Sequence, residues 1–204
     1  MSWSENEKKF LESFRDPYSI QTFLDEIEYN SDYVCRSPRW VIRKRSAHCF
    51  EGALFAAAAL QFLGYRPLIV DMTAYNDDDH VIAVFKEDGY WGAVAKSNFT
   101  TLRYREPVYR SIRELIMSYF DFFFNTKGEK SLRSYSLPFD LSTLKHKDWP
   151  TTDNDLEYIG NKIESLCHFP VVNDKMIGKL RPVSESMLKA GLLGAVEKGL
   201  YKPG

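Results

Sequence analysis

Four side chains in this sequence are of the types that do chemistry at an acyl group: Cys49, His80, Ser97 and Asn98. Cys49 stands near the head of the run RSAHCFEGALFAAAALQFLGY, residues 45–65. A cysteine serves as a small buried hydrophobe anywhere along such a run. At a helix start it gains more, because first-turn N–H groups and the helix dipole favour a negative side chain and lower a thiol pKa. Those N–H groups also offer a cradle for the oxyanion of an acyl-transfer intermediate. Arg43, Lys44 and Arg45 just upstream add positive charge. On these grounds Cys49 is expected to be the most reactive of the three cysteines.

A thiol nucleophile needs a base, and the base needs an orienting partner. His80 follows the acidic turn NDDD and opens the apolar run HVIAVF, so it is expected at the start of a strand facing the thiol. The competing role for His80 is a strand cap bonded to Asp77, Asp78 or Asp79. His48 is nearer in sequence, but adjacent helical residues point about 100° apart and do not pair easily. The strand YWGAVAKSN ends on Ser97 and Asn98, the two candidates to orient the imidazole. Each is also an ordinary turn residue.

The elements that must position these groups read as follows. Two helices open the chain, about 5–14 and 19–29. SPRWVIRKRS is expected to be extended or irregular, since Pro38 disfavours helix at Ser37. A helix over about 47–63, capped by Ser46, places Cys49 near its third position, and Gly64 ends it. It is apolar on nearly every side and therefore buried. RPLIVDM reads as a buried strand, and residues 76–97 as a hairpin turning at Glu87-Asp88-Gly89. SIRELIMSYFDFFFN is a helix with a capping box from Ser111 to Glu114, its aromatic run a core face. After the polar stretch LKHKDWPTTDND come a helix to Cys167 and a last helix from about Ser184. The organisation expected is a core domain, 1–145, with a helical extension, 146–204.

Cysteine at a helix start, histidine at a strand start, and a polar residue on the next strand after a tryptophan: this order resembles the transglutaminase-like, papain-fold cysteine peptidase superfamily. The matching stretches are AHCFEGALFAAAAL, DDHVIAVF and YWGAVAKSN, within residues 36–98. The resemblance implies an α+β fold, helices packed on an antiparallel sheet of four to six strands. It implies thiol-dependent acyl transfer or hydrolysis of an amide bond, with a peptide or protein amide as substrate and no cofactor. That family places an aspartate four residues after the tryptophan, where this chain has Ala95; the alternative is therefore a non-catalytic peptide- or protein-binding module with its cleft around Cys49 and Trp91.

Composition narrows the rest. With 27 basic and 28 acidic residues in 204, net charge −1, no overall field draws the chain to nucleic acid or an anionic membrane. The cluster Arg36, Arg39, Arg43-Lys44-Arg45 around Trp40 reads as a solvated face rather than a phosphate patch. The first residues lack a signal-peptide pattern and no apolar run is long enough to span a bilayer. Three cysteines fit a reducing, cytoplasmic setting rather than a disulfide framework. No metal-ligand spacing occurs, and Cys167-His168, at a helix end, reads as structural. Oligomeric state leaves no mark in the sequence.

Overall fold

The computed structural model describes residues 2–204. Helices α1 (Glu5–Glu12) and α2 (Pro17–Glu26) come first, each begun by a reciprocal cap, Ser4 with Glu7 and Asp16 with Ser19. A two-residue strand β1 (Glu28–Tyr29) pairs in parallel with β2 (Ser46–Ala47). Between them lies a difference from expectation: α3 (Pro38–Lys44) is helical. Proline restrains the residue before it, and Ser37 is indeed extended, but as the N-cap. Pro38 itself sits in the first turn, where its missing N–H costs nothing.

Helix α4 (Cys49–Phe62) is the central helix, its residues 50–60 all buried. Strands β3 (Leu68–Ala74), β4 (His80–Glu87), β5 (Tyr90–Val94) and β6 (Arg105–Tyr109) follow. Asp88 and Gly89, both at positive φ (48° and 89°), close the β4–β5 hairpin. Then come α5 (Ile112–Phe120), β7 (Leu132–Ser136), β8 (Phe139–Asp140), α6 (Glu157–Glu164), β9 (His168–Pro170), α7 (Asp174–Ile177) and α8 (Glu185–Gly191). Ser111 caps α5 by accepting from Glu114 N–H, while the Glu114 carboxylate turns to Arg110 N–H instead of closing the box.

The protein is thus α+β, with one seven-stranded antiparallel sheet in the order β6-β5-β4-β3-β7-β9, β8 pairing with β3 as well. The sheet is larger than the four to six strands expected because β7 and β9, beyond the hairpin pattern, join its far edge. Strand alternation sends Val81, Ala83 and Phe85 to one face, packed with α1–α4, Trp149, Leu156 and α6. Ile82, Val84, Ala93 and Ala95 go to the other, packed with α5, Phe123 and Phe124. Residues beyond 146 therefore contribute Trp149, Ile159 and Ile163 to the core that holds α4, and His168–Pro170 to the sheet.

Helix α4 lies unusually close to the strand leaving β5. A Cβ on Gly52 would fall 2.3 Å from Lys96 Cβ, so only glycine fits this contact. Lys96 is buried and runs on to α2, where its Nζ donates to the carbonyls of Leu24 (2.7 Å) and Ile27 (2.6 Å).

Candidate active site

The helix holding the thiol is begun differently from the sequence expectation. Ser46 belongs to β2, His48 is the N-cap, and Cys49 is the first helical residue rather than about the third. The organiser is Glu51, fully buried two residues into the helix. Its carboxylate accepts from His48 N–H (3.1 Å), Asn30 Nδ2 (2.9 Å) and Arg36 N–H (3.2 Å). These bonds fasten the helix start to the segment after β1.

Cys49 lines a cavity of about 660 Å³ at the end of the sheet, with Tyr29, Asp71, Asp77, Asp78 and Asp79 among its neighbours. His80, Ser97 and Asn98 line the same cavity, so the fold gathers all four sequence candidates around one space. It does not join them into a hydrogen-bonded triad. The sulfur's hydrogen bond is to the Asp79 carbonyl at 3.8 Å. Alternation along β4 explains why: Val81 faces α4, whereas His80 faces the second core, its ring edge-on to Phe123 at 6.2 Å.

His80 is 4% exposed and its Nε2 lies 2.9 Å from the Leu102 carbonyl. A carbonyl only accepts, so Nε2 carries the proton and Nδ1 is the basic nitrogen. Among the described residues Nδ1 has no hydrogen-bond partner. The orienting group is therefore a backbone carbonyl. Neither Ser97 nor Asn98 plays that part. Ser97 Oγ accepts from Phe99 N–H at 3.0 Å, closing a local turn. Asn98 donates through Nδ2 to Val196 O (2.9 Å) and accepts at Oδ1 from Val196 N–H (2.8 Å). Nor does the acidic turn hold the ring: Asp79 accepts from Ala74 N–H and Asp77 from Ser131 Oγ. Ala95, the position where the family carries aspartate, packs in the second core while Gln21 pairs with its N–H and carbonyl, both at 2.9 Å.

The electrostatics run against the expectation of a reactive resting thiol. Burial pushes Cys49 up to about 12; the N–H groups of Val81 and Phe50 oppose this, and Asp78 and Asp71 reinforce it. Burial likewise pushes His80 down to about 4, against the Leu102 carbonyl and with the help of Arg105. The helix dipole is present, but three arginines upstream are spent elsewhere: Arg43 and Arg39 on Glu7, Arg45 on Glu26. Arg36 pairs with Asp32 and Glu51, so the basic cluster is an internal network rather than a free patch. At neutral pH the site holds a neutral thiol and a neutral imidazole.

Sequence comparison adds no relative. No protein-family model matches the chain, and no curated protein matches it in sequence.

One further pairing leaves no mark in the sequence. Asp71, 2% exposed on β3, meets His168 Nε2 at 2.9 Å, and His168 Nδ1 faces the Leu166 carbonyl at 2.9 Å. Nδ1 must carry a proton, so Asp71 and Nε2 share the other. These partners are 97 positions apart, and no local pattern joins them. Residues 198–202 also line the cavity, so the tail after Asp153 covers part of the cleft, one of the two roles open to it. Trp91, by contrast, lies at the hairpin end beneath Lys86 and is not a lining residue. Among the described residues no group of side chains is arranged to hold a metal ion, and no helix is long and apolar enough to cross a membrane.

Proposed function

We propose that this protein carries out thiol-dependent acyl transfer or hydrolysis of an amide bond, on a core resembling the transglutaminase-like, papain-type fold. One observation carries the reading: the thiol on the first turn of α4 and an imidazole with its Nε2–H fixed and its Nδ1 unbonded line one cavity. Cys49 Sγ attacks the amide carbonyl carbon as its proton passes to His80 Nδ1. The S–C bond forms, and first-turn N–H groups hold the oxyanion. The C–N bond then breaks, and Nδ1 returns the proton to the leaving amine. A water deprotonated by Nδ1, or a second amine, releases the acyl group from sulfur.

The two groups are not in hydrogen-bonding contact in the resting structure, so substrate binding must bring them together. Such tightening on ligand binding is common in sites of this kind. A reducing compartment such as the cytoplasm keeps the thiol available. The alternative, a peptide- or protein-binding module without catalysis, draws its support from the thiol held near 12 and from Ala95 in the usual place of an acid.

The test is acyl-enzyme capture. The protein is incubated with a library of peptide p-nitroanilides, quenched in acid and analysed by mass spectrometry. An acyl adduct confined to Cys49 is expected, absent in Cys49→Ser and lowered about a hundredfold or more in His80→Ala, the usual weight of a general base. No adduct with any member, or one indifferent to His80→Ala, leaves the binding module as the better reading.

A further inference from the structure

Part of the same chain, residues 198–202, forms one wall of the cavity. We propose that the cavity is a binding site for a peptide main chain, that residues 196–204, which turn through one 3-10 turn at Glu197–Gly199, close over it in cis, and that Asn98 is the group that reads the peptide backbone. The proposal rests on the same cavity as the function above but not on its chemistry.

Three observations carry it. The first is the pairing at Val196. Asn98 uses both ends of its amide on the N–H and C=O of one residue, at 2.8 and 2.9 Å, as a neighbouring strand would. Asn98 is itself 7% exposed, and this pairing asks nothing of the side chain at position 196. A group of that geometry recognises a main chain, not a sequence. The second is the path of the segment. Lys198, Gly199, Leu200, Tyr201 and Lys202 line the same cavity as Cys49 and His80. At Gly199 the backbone presses so close that a Cβ would lie 2.7 Å from the Tyr29 ring and 3.3 Å from Asn98 Nδ2.

The third is how lightly the far end is held. Gly204 N–H donates to Asn76 Oδ1 (3.0 Å), Lys127 Nζ donates to the Gly204 oxygen (2.9 Å), and Thr126 Oγ1 donates to Tyr201 O (3.3 Å). Leu200 packs against the second core, while Val196, Glu197, Lys198 and Lys202 are exposed and Tyr201 is 37% exposed. A stretch with few buried contacts and exposed hydrogen bonds opens at low cost relative to the fold. Asn98 clamps one end beside the strand leaving β5, and Asn76 holds the other in the loop before His80. Release of the strap would free the Asn98 amide for the main chain of an incoming peptide.

The experiment uses three full-length variants. Val196→Pro deletes the N–H that Asn98 accepts but leaves Asn98 free; the native φ of −82° suits proline. Asn98→Ala removes the clamp. Asn76→Gly removes the far anchor while allowing the positive φ of 54° found there. Alkylation of Cys49 by iodoacetamide is followed by mass spectrometry, with Cys35 as an internal monitor of the core. Cys49 labelling is expected to rise tenfold or more in Val196→Pro and Asn98→Ala and severalfold in Asn76→Gly, with Cys35 unchanged. A fluorescein-labelled peptide VEKGLYKPG should bind Val196→Pro, restore slow labelling, and bind Asn98→Ala at least tenfold more weakly. Unchanged Cys49 labelling in all three variants, acceleration of Cys35 in step with Cys49, or peptide binding indifferent to Asn98→Ala would each overturn the proposal. No readout requires amide cleavage, so failure of acyl-enzyme capture leaves this result untouched, and the reverse also holds.

Discussion

The molecule carries two places where a cysteine and a histidine neighbour a carboxylate, and they are built in inverse ways. At the head of α4 the thiol is half-buried in the cavity wall and the imidazole of His80 keeps one nitrogen without a hydrogen-bond partner. At the start of β9 the thiol of Cys167 is exposed and both nitrogens of His168 are engaged, one by Leu166 O and one by Asp71. In both places a backbone carbonyl fixes one ring nitrogen. The role of the ring is decided by what meets the other nitrogen. A carboxylate there ties the side chain of His168 into the fold; at His80 the other nitrogen keeps no hydrogen-bond partner among the described residues. Adjacency in sequence, His48-Cys49 or Cys167-His168, has no part in either outcome.

The contrast breaks most visibly in thiol reactivity. At pH 7, iodoacetamide should modify Cys167 first. A thiol raised from about 9 to about 12 has roughly a thousandfold less thiolate, partly offset by the greater nucleophilicity of a more basic sulfur. Cys49 labelling should climb steadily with pH through 9 without levelling, as should that of Cys35, also pushed up to about 12 by burial. Site-resolved alkylation rates check this. A plateau for Cys49 near pH 7 would mean that the helix start outweighs burial after all.

Next in size is the loss of the Asp71 carboxylate. Asp71→Ala leaves His168 facing a vacant acceptor position and should cost about 1–3 kcal/mol, the usual penalty for leaving one partner of a buried hydrogen bond unsatisfied. Urea unfolding reads this directly. His80→Ala removes a ring that has no ionic partner and should not produce a loss of that origin.

The smallest effect separates the two rings by pH. His80 has its folded pKa lowered from 6.5 to about 4. Above 6.5 the ring is neutral in both states. As pH falls below 6.5 the unfolded chain takes up a proton that the folded one refuses, so stability is lost until about pH 4, by up to about 3 kcal/mol. Asp77 acts in the opposite sense, since burial raises it to about 6 and the folded state is favoured as pH drops through that value. Urea midpoints of wild type should therefore fall only modestly from pH 7 to 5. Those of His80→Asn should hold level or rise over the same interval, and an equal fall in both would assign the acid loss elsewhere.

How much of this could be read in advance follows from the range of each interaction. The hairpin was legible, because period-two apolar residues and an Asp-Gly pair act over a few positions. So was α4, whose Ala and Leu run has no other use. The gathering of Cys49, His80, Ser97 and Asn98 around one space was legible from their order along these elements. The orienter of His80 was not, because a backbone carbonyl is present at every residue and Leu102 carries no mark of it. Helix α3 is hidden because Pro38 signals an obstacle to helix at Ser37 and, equally, a helix start at its own first turn. The Asp71–His168 pair and the Asn98–Val196 clamp span 97 and 98 positions, beyond any pattern of spacing.

Gly52 gives the site one more property. At that level helix and strand touch through glycine Cα and the Lys96 side chain, leaving no room for even one added carbon. Cys49 sits one turn earlier on the same rigid rod, so its seat is gauged from this contact as a dimension is set from a machined stop. Shimming the stop with a methyl group would lift the end of the helix and tilt the sulfur away from the Val81 N–H. Every charge and every polar group would be retained. The chemistry proposed for this cavity is thus vulnerable at a position that has no chemistry of its own.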